Sequence, residues 1–115
     1  MPEIQFLYWE DCPSHPEAWQ LLHEVLAEEG LDWPVERILV EGDQDAQRWH
    51  FPGSPTIRVD GQDVDPGGAD QMGVALACRV YRLEDGRFSP VPSREMIRQR
   101  LLAARRDAAP GATST

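Results

Sequence analysis

The sequence predicts a single α/β domain, on three observations. An apolar run, Glu3–Trp9, is followed by an amphipathic helical pattern and then by a second apolar run, Val35–Val40; this order reads as a strand–helix–strand unit. A tight-turn signal, Asp60-Gly61, closes a third strand-like stretch, Thr56–Asp60. The chain has 115 residues, 41% of them hydrophobic and 27% charged, which suits one globular core and not a disordered chain.

Each element has a local reason. Ile4, Phe6, Leu7, Tyr8 and Trp9 make residues 3–9 a buried strand. Asp11-Cys12-Pro13-Ser14-His15-Pro16 breaks it, and Pro13 suits a first helical position, where its missing N–H costs nothing. Ala18, Leu21, Leu22, Val25 and Leu26 then recur at helical spacing, with Glu17, Gln20, Glu24 and Glu28 between them. That pattern predicts a helix of about 15 residues, stopped by Gly30. Val35–Val40 follows Pro34 as a second strand, parallel to the first through a right-handed crossover.

A short helix is expected at Asp43–Trp49, and Phe51–Pro55 is a turn into the third strand. Gln62–Asp65 would return antiparallel. Pro66–Ala77, small and Gly-rich, reads as a loop with a brief helical turn. Cys78–Leu83 alternates like a strand, and Glu84–Arg87 turns it towards Phe88–Val91. Ser93 is a good N-cap for a last helix, in which Ile97, Leu101 and Ala104 line one face. The domain is expected to span residues 1–107, with a flexible tail over 108–115.

Charge and composition exclude several functions. The formal charge is -9, with 12 acids and two Arg in residues 1–50 against eight acids and nine Arg in residues 51–115. An acidic first half argues against nucleic acid as a partner there, because phosphate contacts need cations. The Arg-rich stretch Arg94–Arg106 reads as the solvated face of the final helix. All basic residues are Arg; the lack of Lys excludes Schiff-base and P-loop lysine chemistry, and the lack of Asn excludes N-glycosylation. No stretch approaches 18 consecutive apolar residues, so no membrane partner is expected. The start, MPEIQFLYWED, carries no signal-peptide pattern, and with two cysteines a cytoplasmic location is expected.

Chemistry concentrates at Cys12, where the first strand gives way to the first helix. Unpaired helix N–H groups and the positive end of the dipole favour a thiolate there. Asp11 and Glu10 oppose this, and the bland alternative is a small buried residue. A second feature is Gly53-Ser54-Pro55-Thr56, directly before a strand. A cis Ser54–Pro55 bond would leave the preceding backbone free to pair with an extended substrate; a trans turn proline is the alternative.

Together these features resemble the thioredoxin-like superfamily. The resemblance lies in the order of parts: strand, Cys12-Pro13-Ser14-His15 opening a helix, strand, short helix, then Gly53-Ser54-Pro55-Thr56-Ile57 and the Asp60-Gly61 hairpin. It covers roughly residues 3–65 and the final helix. It implies a three-layer α/β/α sandwich with a mixed sheet of about four strands, here with an extra hairpin before the C-terminal helix. It also implies a thiol–disulfide site at Cys12, with Pro55 as the cis proline beside it. Ser54, Pro55 and Thr56 would then contact substrate, with Pro13 and Trp9 flanking the thiol cleft.

The chain departs from the family's Cys-x-x-Cys pair, since His15 stands at the fourth position. Three readings follow. Cys12 acts as a single thiol that forms mixed disulfides, for instance with glutathione, and His15 helps hold the thiolate. Or Cys12 is the nucleophile and Cys78 resolves, which requires their Cα atoms within about 7 Å. Or the chemistry is gone and the fold serves as a binding domain for a protein partner or a soft metal. The Cys78-Arg79-Val80-Tyr81 run resembles small bacterial thioredoxin-like proteins, some associated by name with mercury, where two thiolates would hold a soft metal. The leading expectation is thiol–disulfide exchange with a disulfide-containing protein or a low-molecular-weight thiol. No cofactor is expected, and no zinc: Cys12 and His15 supply two ligands where a structural site needs four, and nothing in the spacing demands that Cys78 and His50 complete the set. Asp60 reads as a turn former, and Asp63, Asp65 and Asp70 as solvated carboxylates without calcium-loop spacing.

Overall fold

Alternation along the first strand sets the layers of the molecule. In the computed structural model, which describes residues 2–108, strand β1 (Ile4–Tyr8) sends Ile4 and Phe6 into one apolar cluster and Leu7 into another. Successive strand side chains point to opposite faces, so one strand feeds two cores. Helices α1 (His15–Glu28) and α4 (Arg94–Ala108) cover the first face through Leu22, Val25, Ile97 and Leu101. Helix α2 (Asp43–Trp49) covers the second through Ala46, which packs with Leu7, Ile38, Val40 and Phe51.

The sheet has four strands in the order β2-β1-β3-β4. Strand β2 (Val35–Leu39) runs parallel to β1, with Leu7 beside Ile38. Strand β3 (Thr56–Val59) runs antiparallel to β1, pairing Phe6 with Ile57. Strand β4 (Gln62–Asp63) returns antiparallel to β3. The turn between them holds Asp60 and Gly61 at φ 52° and 80°, two successive left-handed residues that suit an Asp-Gly hairpin. Among the described residues the fold is therefore mixed α/β, with a mixed four-stranded sheet and four helices.

The helix ends follow their sequence signals, with one shift. Helix α1 begins at His15 with Pro16 in its first turn, two residues later than Pro13 would place it. A turn intervenes, in which the Cys12 N–H donates to the Trp9 carbonyl at 3.0 Å. Pro16 costs α1 little, because first-turn N–H groups have no intrahelical partner. At the other end the Leu31 N–H donates to Leu26 and the Gly30 N–H to Ala27, which closes the helix. The Ser93 hydroxyl accepts from the Met96 N–H at 3.1 Å and caps α4.

The stretch between β4 and α4 departs most from expectation. Helix α3 occupies Pro66–Met72 as a full element, with the Asp65 carboxylate accepting from the Gly68 N–H and Pro66 opening the first turn. The strand expected over Cys78–Leu83 shrinks to β5 (Tyr81–Arg82), paired with β6 (Phe88–Ser89) in a separate small hairpin. Cys78 instead forms a lone parallel bridge with Ser54. The return strand ends at Asp63, and the Val64 N–H makes one further bond to Ile57. Ala108 closes α4, and the rest of the tail expected at 108–115 lies outside the described residues. Among the described residues no helix is long and apolar enough to cross a membrane.

Candidate thiol site

Ser54 is the hub of the site. It is fully buried just before β3, and its peptide bond to Pro55 is cis. The Trp9 N–H donates to its hydroxyl at 3.0 Å. The Cys12 thiol donates to its carbonyl at 3.3 Å, and the Arg79 N–H donates to the same oxygen at 2.8 Å. The Ser54 N–H donates to the Ala77 carbonyl, also at 2.8 Å. Cys78 is thus bracketed by two backbone bonds to the residue whose carbonyl Cys12 reaches.

This arrangement revises the expected substrate contacts. Ser54, Pro55 and Thr56 are all buried, and the Ser54 backbone expected to be free already pairs with residues 77–79 of the same chain. An extended substrate would meet Ser54 only if residues 77–79 moved aside. Thr56 turns inward too, donating to the Gly53 carbonyl at 2.7 Å. Pro13 is exposed, and Trp9 is half-buried against the α2-side core.

A buried ion pair anchors the covering segment. Arg79 is 1% exposed, and its guanidinium donates to both Asp63 oxygens, to the Asp65 carbonyl and to the Thr56 hydroxyl. Burial alone would lower the Arg79 pKa, but its hydrogen bonds to Asp63 and the nearby negative groups outweigh that and raise it. Asp63 is therefore a structural carboxylate, not a solvated one. Arg79 also lies over the Tyr81 ring, 4.3 Å from its centroid, and the Tyr81 hydroxyl donates to the Pro55 carbonyl at 2.6 Å. Burial pushes the Tyr81 pKa up, so its hydroxyl stays a donor.

Gly53 permits the close approach. Its φ is 112°, and a Cβ there would lie 3.1 Å from the Arg79 Cβ and 3.3 Å from the Ala77 carbonyl oxygen. In the sequence Gly53, Arg79 and Tyr81 stand only within motifs and Asp63 reads as solvated, and none of them is given a supporting role at the site. The available signal was a charged residue, Arg79, set inside the weakly polar run Val74–Tyr81.

The two thiols are neighbours of unequal exposure. Cys12 is 2% exposed, while Cys78 is exposed, and both are free. Desolvation by the adjoining protein raises the Cys78 pKa first, and the hydrogen bond and like charge of Cys12 raise it further. His15 is buried, with Nδ1 lacking a hydrogen-bond partner. Its ring packs on Tyr8, with centroids 4.7 Å apart, and among the described residues no hydrogen bond joins it to Cys12.

No family model, curated protein or solved structure matches the chain. The chemistry therefore rests on the arrangement itself. Among the described residues no three His, Cys, Asp or Glu side chains gather to hold a metal ion. A groove of about 490 Å³, lined by Trp49, His50, Arg58 and Asp70 among others, includes neither thiol. Two adjoining thiols can pass between a dithiol and a disulfide, or clasp one soft ion between two sulfurs.

Proposed function

We propose that the chain is a small thioredoxin-like protein whose Cys12 and Cys78 exchange electrons with the disulfides of proteins or of small thiols. The reading is supported by the order of parts: a cysteine between β1 and α1, a cis proline before the β3–β4 hairpin, and helices on both faces of the sheet. The observation that carries it is that Cys12 and Cys78 both engage Ser54, one through its thiol and the other through its backbone, which would give Cys12 the partner that His15 denies to a Cys-x-x-Cys motif. In a reducing cytoplasm such a pair would act as a catalytic or switched couple, since structural bridges are rare there.

The test is direct. The reduced protein is treated with a mild oxidant under native conditions, and its peptides are mapped. A Cys12–Cys78 disulfide formed within the monomer is the expected product. Thiols that stay reduced, or pair only between chains, defeat the reading.

The same two sulfurs favour a second reading, a two-coordinate clasp for a soft metal such as mercury. Titration of the reduced protein with mercuric ion would then saturate at one ion per chain. Unchanged stoichiometry and affinity in Cys12→Ser and Cys78→Ser variants would exclude it.

A further inference from the structure

Cys12 and Cys78 differ in what can reach them. An exchange step needs the attacking sulfur to touch one sulfur of the incoming disulfide while the other sulfur leaves, so access governs which thiol starts. Cys12 has almost no accessible surface, at 2%, and its thiol is engaged by the Ser54 carbonyl. Cys78 is exposed, and the bonds from Ser54 to Ala77 and from Arg79 to Ser54 hold its backbone in place.

We propose that Cys78 is the attacking thiol of the pair and that Cys12 resolves the mixed disulfide from inside. This rests on the reading of the two as an exchanging pair, and it reverses the order expected from the position of Cys12 before a helix. In the first step the Cys78 thiol gives its proton to solvent, and the thiolate bonds to one sulfur of R–S–S–R. The S–S bond breaks, and R–S⁻ leaves with the electron pair and takes up a proton. In the second step Cys12 gives its proton to solvent, its sulfur bonds to the Cys78 sulfur, the mixed S–S bond breaks, and the second R–S⁻ leaves with the electron pair and takes up a proton. The protein dithiol is oxidised by two electrons to a Cys12–Cys78 disulfide, and R–S–S–R is reduced to two thiols. The mixed disulfide holds its reactive sulfur beside Cys12, so the second step needs no access from solvent. The raised pKa of Cys78 reduces its thiolate fraction, but a more basic thiolate is also the stronger nucleophile.

The test uses the full chain and the neutral disulfide 4,4′-dithiodipyridine, whose released thiopyridone absorbs light. The wild type is expected to release two equivalents and finish with the Cys12–Cys78 bridge. Cys12→Ser is expected to release one equivalent at the wild-type initial rate and keep the mixed disulfide on Cys78. Cys78→Ser is expected to react on the order of 100-fold more slowly, with the rate recovered in denaturant, because access limits it. A Cys78→Ser variant that reacts at Cys12 as fast as the wild type overturns the assignment but leaves the pair intact. Two equivalents released with no internal bridge overturn the pair itself, and the assignment with it. A measurement without variants guards against misfolding: substoichiometric N-ethylmaleimide on the reduced wild type should label Cys78 first, and equal or preferential labelling of Cys12 overturns the order.

Discussion

Arg79 and Asp63 form a two-pronged ion pair in the interior, with Nη1 to Oδ2 and Nη2 to Oδ1 both at 2.8 Å. The pair joins the end of β4 to the segment that carries Cys78. A buried pair is costly to break, because removal of one partner leaves a charge without compensation. Asp63→Ala should therefore destabilise the fold by about 3–5 kcal/mol in denaturant unfolding. A double variant, Asp63→Leu with Arg79→Met, should recover much of that loss. If the single change costs no more than an ordinary surface substitution, the pair does not anchor this segment.

Gly53 gives a second prediction. A side chain there would adopt a left-handed φ and press on the backbone of Ala77 and Arg79. Gly53→Ala should lower stability by about 1–3 kcal/mol, read as a fall in the thermal midpoint. Bridging of Cys12 to Cys78 under oxidant should slow in parallel. Retention of both wild-type properties would show that residues 77–79 do not lie this close to Ser54.

Tyr81→Phe removes the hydroxyl that donates to the Pro55 carbonyl. The change leaves a buried oxygen short of a partner and should cost about 1–3 kcal/mol. Chemical denaturation of the variant against the wild type checks it, and an unchanged midpoint would dismiss that bond as a support of the site.

The raised pKa of Cys78 predicts a pH dependence. Its alkylation by iodoacetamide at pH 7 should be slower than that of a small free thiol, and the rate should climb to a midpoint above the ordinary thiol range. Cys12→Ala should move that midpoint down only in part, since desolvation, the larger cause, remains. A group whose pKa is higher in the folded state stabilises the fold below its unfolded pKa, and that contribution fades as pH rises through the folded value. Site-resolved mass spectrometry across pH 7–11 reads the labelling, and a midpoint at or below that of the free thiol would contradict the prediction.

Charge predicts the preferred small disulfide. Glu10 and Asp11 are exposed beside Cys12, and the first half of the chain is strongly acidic. Cationic cystamine should oxidise the pair about tenfold faster than anionic glutathione disulfide at low salt, once each is normalised to a free thiol. Added salt should narrow the gap. Equal normalised rates at low salt would mean that the field at the thiols is neutral.

Local signals carried the first half of the fold. The alternation in Ile4–Tyr8, the helical spacing of Ala18 to Leu26, the bounds Asp43–Trp49, the Asp60-Gly61 turn and the Ser93 cap are each written within a few residues. The second half depends on distant partners. Arg79 looks like a strand's outward cation until Asp63, sixteen positions earlier, is brought against it. The contrast between Cys12 and Cys78 is likewise tertiary. The approach of residues 77–79 to Ser54 brings the two cysteines to one residue, and no spacing rule in the sequence contains it.

More than sixty residues separate Cys12 from Cys78, so a bond between them would tie most of the domain into one covalent ring. Closing a ring of that size removes chain entropy worth about 4 kcal/mol from the unfolded state. Folding and oxidation of this chain would then be a single linked equilibrium. A change that strengthens the β4-to-Cys78 anchor would favour the oxidised form, and a partner that pries the anchor loose would turn the same pair into a stronger oxidant.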